Sequence, residues 1–251
     1  MMTSGRGMLY VKLGGSLITL KKEGRKEIRS DVLRRISIDI KSMMNDFKIF
    51  LAHGAGHYGH EPVLRSGLHL GMGDWNRIGA SETMVGVSEL NFRVAKIMME
   101  EGIPVAPLPP RSMMRRNNGR ILCETSSLKE LIKAGFIPLM HGDLIPDDER
   151  GVYVLSADEI PLHLDLGFEK VIYLMDEPGV LDEAGRVIPV INRSALEGMS
   201  LPSLDATGSI RGKIESAVRL AERGVEVRIS GYRDPGDLIR AINGEIGTRV
   251  I

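Results

Sequence analysis

Short apolar runs alternate with amphipathic stretches along nearly the whole chain, and no other feature restricts the possible folds as much. Met8–Leu13, Lys48–His53 and residues 105–108, 136–140, 171–174, 225–229 and 248–251 each read as a strand. Runs this short and this continuously apolar are typical of strands buried on both faces. Helical spacing recurs between them. Ser30 or Asp31 is placed to cap a helix whose apolar face is Val32, Leu33, Ile36, Ile40, Met43 and Met44. Further helices are read over residues 83–101, 126–134, 157–166, 210–223 and 237–243, and residues 147–151 read as a turn between two short strands. This alternation implies crossover units, and hence an α/β chain whose open, mainly parallel sheet carries helices on both faces.

No linker-like or low-complexity stretch interrupts the 251 residues, so the expectation is one domain over residues 1–251, in two lobes. Hydrophobic residues make up 43%, enough for a core without disulfide or metal support. The 33 Lys and Arg balance 33 Asp and Glu, which removes any bulk-charge argument for nucleic acid or an anionic membrane as partner. A single cysteine, Cys123, excludes a disulfide framework and any multi-cysteine metal site. No apolar run reaches the roughly 20 residues of a membrane-spanning helix, and the first strand follows the N-terminus with no signal-peptide hydrophobic region between. A cytoplasmic location is therefore expected. Most of the 14 methionines fall at apolar helical positions and read as core filling.

The chemistry-bearing residues stand at strand ends, where open α/β sheets bind ligands. Lys12-Leu13-Gly14-Gly15-Ser16 sets a lysine and two glycines at the end of the first strand. Glycines let backbone N–H groups approach an anion closely, and the lysine can neutralise a phosphate; a plain tight turn is the alternative. His53-Gly54-Ala55-Gly56-His57-Tyr58-Gly59-His60 follows the second strand, a glycine-rich nest with histidine donors beside it. Three histidines invite a zinc reading, but no fourth ligand at suitable spacing is evident, so no metal site is read here. Asp205-Ala206-Thr207-Gly208-Ser209 opens the strongest helix, with Lys213 one turn inside it. Two lysine-plus-glycine segments in one chain favour a polyphosphate ligand over either segment alone.

Together these segments resemble the amino-acid kinase superfamily, in order and spacing over essentially the whole chain. Within it they are most similar to the isopentenyl phosphate kinases. The narrower likeness rests on Lys12 to Thr19 followed by Lys21, on Gly59-His60 closing the glycine loop, and on Ala221 to Glu226 with Gly247-Thr248-Arg249. The resemblance implies a single αβα sandwich that transfers phosphate from ATP to a phosphate monoester, with Mg²⁺ bound mainly through the nucleotide phosphates. It puts the acceptor in a lobe of about residues 1–165 and the nucleotide in one of about residues 166–251, and it implies a homodimer.

Residue by residue, the resemblance implies that Lys12 and Lys21 stabilise the transferred phosphoryl group. Gly14, Gly15, Ser16 and Gly56 line the phosphates, and His60 holds the acceptor phosphate beside Ala55 and Gly59. Asp158, after Ala157, matches the acidic residue of a Ser-Gly-Asp motif. Asp176, Gly208, Ser209 and Lys213 fall on the nucleotide side. The chain departs from the family pattern at His57-Tyr58 (usually Ser-Phe), at Ala157 and Ser209 (usually glycine), and at Met175-Asp176-Glu177-Pro178-Gly179, which lacks the family's threonine and second aspartate. A fosfomycin-type phosphonate kinase is the enzyme alternative. A carboxylate kinase is disfavoured by His60, and a nucleotide-binding sensor or storage protein is the non-enzyme alternative. On the helix over residues 83–101, Met84, Val87, Leu90 and Val94 share a side; they read mainly as core, with a short apolar acceptor tail expected against one end.

Overall fold

The first apolar run, β1 (Met8–Leu13), lies inside the main sheet and is buried along its whole length. The computed structural model describes residues 7–22, 25–198 and 210–251. After α1 (Gly15–Ile18) and the hairpin of β2 (Thr19–Lys22) and β3 (Arg25–Ile28), α2 (Ser30–Met43) carries the chain to β4 (Lys48–His53), parallel to β1. Helices α3 (Gly56–Arg65) and α4 (Arg77–Glu100) lead to the edge strand β5 (Val105–Pro107). A second hairpin, β6 (Met114–Asn117) and β7 (Arg120–Cys123), and α5 (Ser126–Lys133) precede β8 (Ile137–His141), which inserts between β4 and β5. Strands β9 (Asp143–Asp147) and β10 (Gly151–Leu155) and the single turn α6 (Ile160–His163) return the chain to β11 (Phe168–Met175), on the other side of β1. Then follow β12 (Val190–Ile191), α7 (Arg193–Gly198), α8 (Ile210–Ala221), β13 (Glu226–Gly231), α9 (Asp237–Ile242) and β14 (Thr248–Val250).

The main sheet runs β12-β14-β13-β11-β1-β4-β8-β5, and only the β13–β14 pair is antiparallel. The chain moves outward from β1 first through β4 and later through β11. That reversal makes the carboxyl end of β1 a topological switch point, the place where such sheets bind ligands.

The period of two divides the central strands between two cores. Leu9, Val11 and Leu13 face α2, α4 and α9, packing with Ile36, Leu90 and Leu238. Met8 and Tyr10 face the opposite core, with Ile214 and Val218 of α8, Leu128 of α5, and Ile145 and Leu155 of the second sheet. Lys12 continues the Tyr10 face. This is the expected sandwich with one addition: β10, β9, β6 and β7 form a four-stranded sheet that replaces helices over part of one face.

Several elements differ from the sequence expectation. Helix α2 has neither Ser30 nor Asp31 as its cap; Arg29 occupies that position and offers no side-chain bond. The expected helix over residues 157–166 shrinks to α6, because Ser156 Oγ accepts the Asp158 N–H at 3.2 Å and holds the segment in a turn. The glycine segment after β4 is not all loop: α3 begins at Gly56 and runs to Arg65. Helix α4 begins at Arg77, ahead of the expected residue 83. The hairpin β6–β7 was not anticipated, although Asn118 and Gly119 have the paired positive φ angles, 48° and 73°, of a two-residue hairpin turn.

Candidate active site

Lys12 is 4% exposed, in a strand otherwise apolar, so its ammonium group needs a partner. The partner is Asp158, in the turn after β10: Lys12 Nζ lies 2.8 Å from Oδ1. Lys213, in the first described turn of α8, reaches the same carboxylate at 3.0 and 3.2 Å. Two buried tyrosines fix the turn that carries Asp158. Tyr10 donates to the Ala157 carbonyl and Tyr173 to the Asp158 carbonyl, each at 2.7 Å. Lys213 also lies over the Tyr173 ring, 5.8 Å from its centroid. The methyl group of Ala157 is buried in this arrangement, so its replacement of the family's glycine is accommodated.

Burial lowers the Lys12 pKa to about 8; Asp158 opposes that shift and Lys213 adds to it. Burial alone would raise Asp158, but the two ammonium groups outweigh it and hold the carboxyl far below its ordinary value. With both amines protonated, the buried cluster carries one net positive charge at the wall of a cavity. That arrangement attracts an anion.

The two glycine loops pack against each other beside this cluster. A Cβ on Gly15 would sit 2.6 Å from the Gly56 nitrogen, and one on Gly54 would sit 2.8 Å from the Gly15 nitrogen, closer than any side chain permits. Gly56 combines a φ of 50° with the same crowding, since its Cβ would meet Thr19 Oγ1 at 2.5 Å. The loops thus bring the amino-terminal ends of α1 and α3 together next to Lys12, with backbone N–H groups available to an anion.

The Lys12–Asp158–Lys213 cluster and both glycine loops border one cavity of about 1120 Å³. On its wall are Lys12, Gly14, Gly15 and Ser16 from the first loop, and Ala55, Gly56, Gly59 and His60 from the second. Ala157, Asp158 and Lys213 complete the set of expected residues found there. His57 and His60, three apart on α3, share the same side of the cavity. Asp176 is not on the wall; it pairs with Arg29 at 2.7 Å beyond the end of β11. Gly208, Ser209 and the side chain of Lys21 lie outside the described residues.

One part of the cavity wall is apolar, with Arg65, His69 and Arg150 also on the lining. Val63 and Leu68, with Leu144 and Val152 from the second sheet, form a small separate core with Ala80, and they border the cavity together with Val87. Leu90 and Val94 are wholly core, while Met84 packs on the small cluster. Sequence reasoning missed Asp143, at the cavity edge, whose carboxylate is held by Arg111 at 2.8 Å. It also missed Thr83 and Arg150 on the wall. Asp143 had a signal, since His141-Gly142-Asp143 repeats the strand-then-glycine pattern used elsewhere. Arg150 had none, because only the curl of β9 and β10 brings it close.

A phosphate-ready switch point, two interlocked glycine loops and a Lys–Asp–Lys cluster define a phosphotransferase, and the chain belongs to the amino acid kinase family, whose model matches residues 8–231. Among its relatives is the isopentenyl phosphate kinase of Methanothermobacter thermautotrophicus, 32% identical over 97% of this chain and 98% of that protein. The isopentenyl phosphate kinase of Arabidopsis thaliana is 29% identical over 90% of this chain and 76% of its own length. A crystal structure of an isopentenyl phosphate kinase superposes with a TM-score of 0.82 at 31% identity, covering 97% of this chain and all of the other. Among the described residues no helix is long and apolar enough to cross a membrane.

Proposed function

We propose that this chain is an ATP-dependent kinase that phosphorylates isopentenyl phosphate to isopentenyl diphosphate. The observation that carries the reading is the union, in one cavity, of the Lys12–Asp158–Lys213 cluster with an apolar part of the wall. A charged cluster alone would suit any phosphate. The apolar part suits an acceptor with a short hydrocarbon tail, which Val63, Leu68, Leu144 and Val152 can cover.

An oxygen of the acceptor phosphate attacks the γ-phosphorus of ATP. The bond from that phosphorus to the oxygen shared with the β-phosphate breaks, and ADP leaves with the electron pair. No covalent nucleophile is needed, only positioning and charge neutralisation. Lys12 and Lys21 act on the transferred group, and Lys213 acts from the nucleotide side with Asp176, Gly208 and Ser209. Asp158 fixes the geometry of the two amines it binds. Gly14, Gly15, Ser16 and Gly56 line the phosphates, while His60, with Ala55 and Gly59, receives the acceptor phosphate. Mg²⁺ would be carried on the nucleotide phosphates. The acceptor then occupies the lobe of about residues 1–165 and the nucleotide that of about residues 166–251. Use of ATP fits a cytoplasmic enzyme. A homodimer is supported by the outer face of α4, where the apolar residues Ile78, Val85, Phe92 and Met99 stand exposed at seven-residue intervals.

The test incubates purified protein with ATP and Mg²⁺ and, separately, isopentenyl phosphate, dimethylallyl phosphate, fosfomycin and glutamate. ADP release and the ³¹P spectrum of the product are followed. A diphosphate doublet from isopentenyl phosphate is expected. Turnover of glutamate alone, or of fosfomycin alone, overturns the reading.

A further inference from the structure

Two histidines outside the chemistry above lie beneath the glycine loops. His53 and His141 end β4 and β8, face each other in the register of those strands, and stack with centroids 5.6 Å apart. Both are completely buried. Each turns Nδ1 onto the carbonyl of the glycine that follows it: Gly54 O for His53 and Gly142 O for His141, both at 3.0 Å. A carbonyl only accepts, so Nδ1 carries the hydrogen in both rings. Burial, with His141 beside it, lowers the His53 pKa to about 3, and burial lowers that of His141 to about 4, so each ring is neutral at pH 7. Nε2 of His53 is then an acceptor. Its neighbour is Oδ1 of the buried Asn91 on α4, at 3.1 Å; two acceptors do not pair, so the Asn91 amide is turned by a half-turn to present its NH₂ to the ring.

Gly54 is where the β4 ladder stops. Its N–H still donates to Leu13 O at 2.9 Å, but its carbonyl is taken by the imidazole rather than by a strand. No cis peptide occurs among the described residues, so the carbonyl of Gly54 and the N–H of Ala55 point in opposite directions. Gly54 and Ala55 both border the cavity, and of this peptide it is the carbonyl that is turned onto the buried ring. We propose that His53, braced by Asn91, is a positioning residue for phosphoryl transfer: by holding the Gly54 carbonyl inward it keeps the Ala55 N–H turned toward the phosphates. This rests on the kinase reading above.

The loop needs such a hold. Gly54 has no side chain because Gly15 lies too close, and a glycine peptide turns over more easily than any other. A reversed peptide would present a carbonyl oxygen, and so a repulsive dipole, to a triphosphate. The same device on β8 fixes Gly142, which also borders the cavity.

The test compares wild type, His53→Phe and His53→Asn. Phenylalanine keeps the ring and removes the donor, while the Nδ2 of asparagine can replace Nδ1. With isopentenyl phosphate, His53→Phe is expected to lower kcat by roughly 10², with less than threefold change in acceptor KM, and His53→Asn to regain at least tenfold of the loss. Inorganic pyrophosphate binding, by calorimetry, is expected to weaken in the phenylalanine variant alone. In the wild type, ¹⁵N spectra of the histidines are expected to show His53 as the neutral Nδ1–H form at pH 7, a result independent of turnover and of the variants' folding. A charged or Nε2–H ring, or full activity in His53→Phe, overturns the proposal while leaving the kinase reading intact. Wild-type protein that neither binds pyrophosphate nor turns over isopentenyl phosphate overturns both.

Discussion

Replacing Asp158 by asparagine keeps the shape of the turn and removes the one negative charge between two buried amines. Both amines meet the same carboxylate oxygen, at 2.8 and 3.0 Å, and are therefore about 6 Å apart at most. At an effective dielectric near 20, their repulsion is roughly 3 kcal/mol, about two pKa units, and it is no longer offset. Leaving a buried charge without its partner typically costs about 3–5 kcal/mol. For a chain of this length roughly 3 kcal/mol corresponds to a fall in Tm of about 6–12 °C. The variant escapes part of that cost if Lys12 releases its proton. Its pKa is already depressed to about 8 with the carboxylate present, and removing the carboxylate lowers it further.

The sign follows from linkage. A lysine whose folded pKa lies below its unfolded value destabilises the fold while protonated, and stability rises with pH between the two values. The Tm deficit of Asp158→Asn is therefore expected to be largest near pH 6 and to shrink as the pH approaches 9.5. In turnover, kcat is expected to fall by roughly 10²–10³, and the loss of activity in alkali to begin at lower pH than in wild type. Thermal melts between pH 6 and 9.5 and a pH–rate profile read these effects. A deficit independent of pH, together with kcat within threefold of wild type, would refute the account of the cluster.

Three further outcomes are expected. His60→Ala should lower kcat/KM for phosphate acceptors by roughly 10², the scale of a lost charge-assisted bond with misorientation, whereas His57→Ser should keep turnover within about threefold; steady-state assays of both variants decide which histidine receives the acceptor. Filling the apolar part of the cavity with Leu144→Trp should raise KM for isopentenyl phosphate by about 10–200-fold with ATP KM unchanged, and equal changes in both constants would place the tail elsewhere. Phe92→Asp on the exposed stripe of α4 should convert a dimer to a monomer in light scattering, and a monomeric wild type would remove the basis for the dimer.

Most of the expected strands are those whose side chains meet a core on both faces; the edge strand β5 is the exception. Met8–Leu13 and Lys48–His53 are continuous apolar runs, and the structure returns them with the same bounds. The hairpin β6–β7 escaped because Met114–Asn117 reads Met-Arg-Arg-Asn, too polar to form such a run; its Asn118-Gly119 turn was the only local cue. Helix α3 escaped because glycine is a poor helix former, yet Gly59 is placed where a Cβ would meet Val87 at 2.8 Å, so the missing side chain is what lets α3 lie against α4. In both elements long-range packing overrode the local pattern.

The candidate site was legible as separate residues and not as a cluster. A period of two shows that Lys12 shares a face with Tyr10, but nothing in the strand says which helix covers that face. The answer comes from α8 and from the turn after β10, both far along the chain, and Tyr10 and Tyr173 hold that turn by its backbone carbonyls rather than by any patterned side chain. His53 and His60 illustrate the same limit. They occupy one glycine-rich segment, yet one is buried and neutral under the loop and the other borders the cavity, because His53 is still in the strand and His60 is one turn into the helix. Residue type proposes the chemistry; the register of the element that carries it decides whether that chemistry acts on the ligand or on the backbone that binds the ligand.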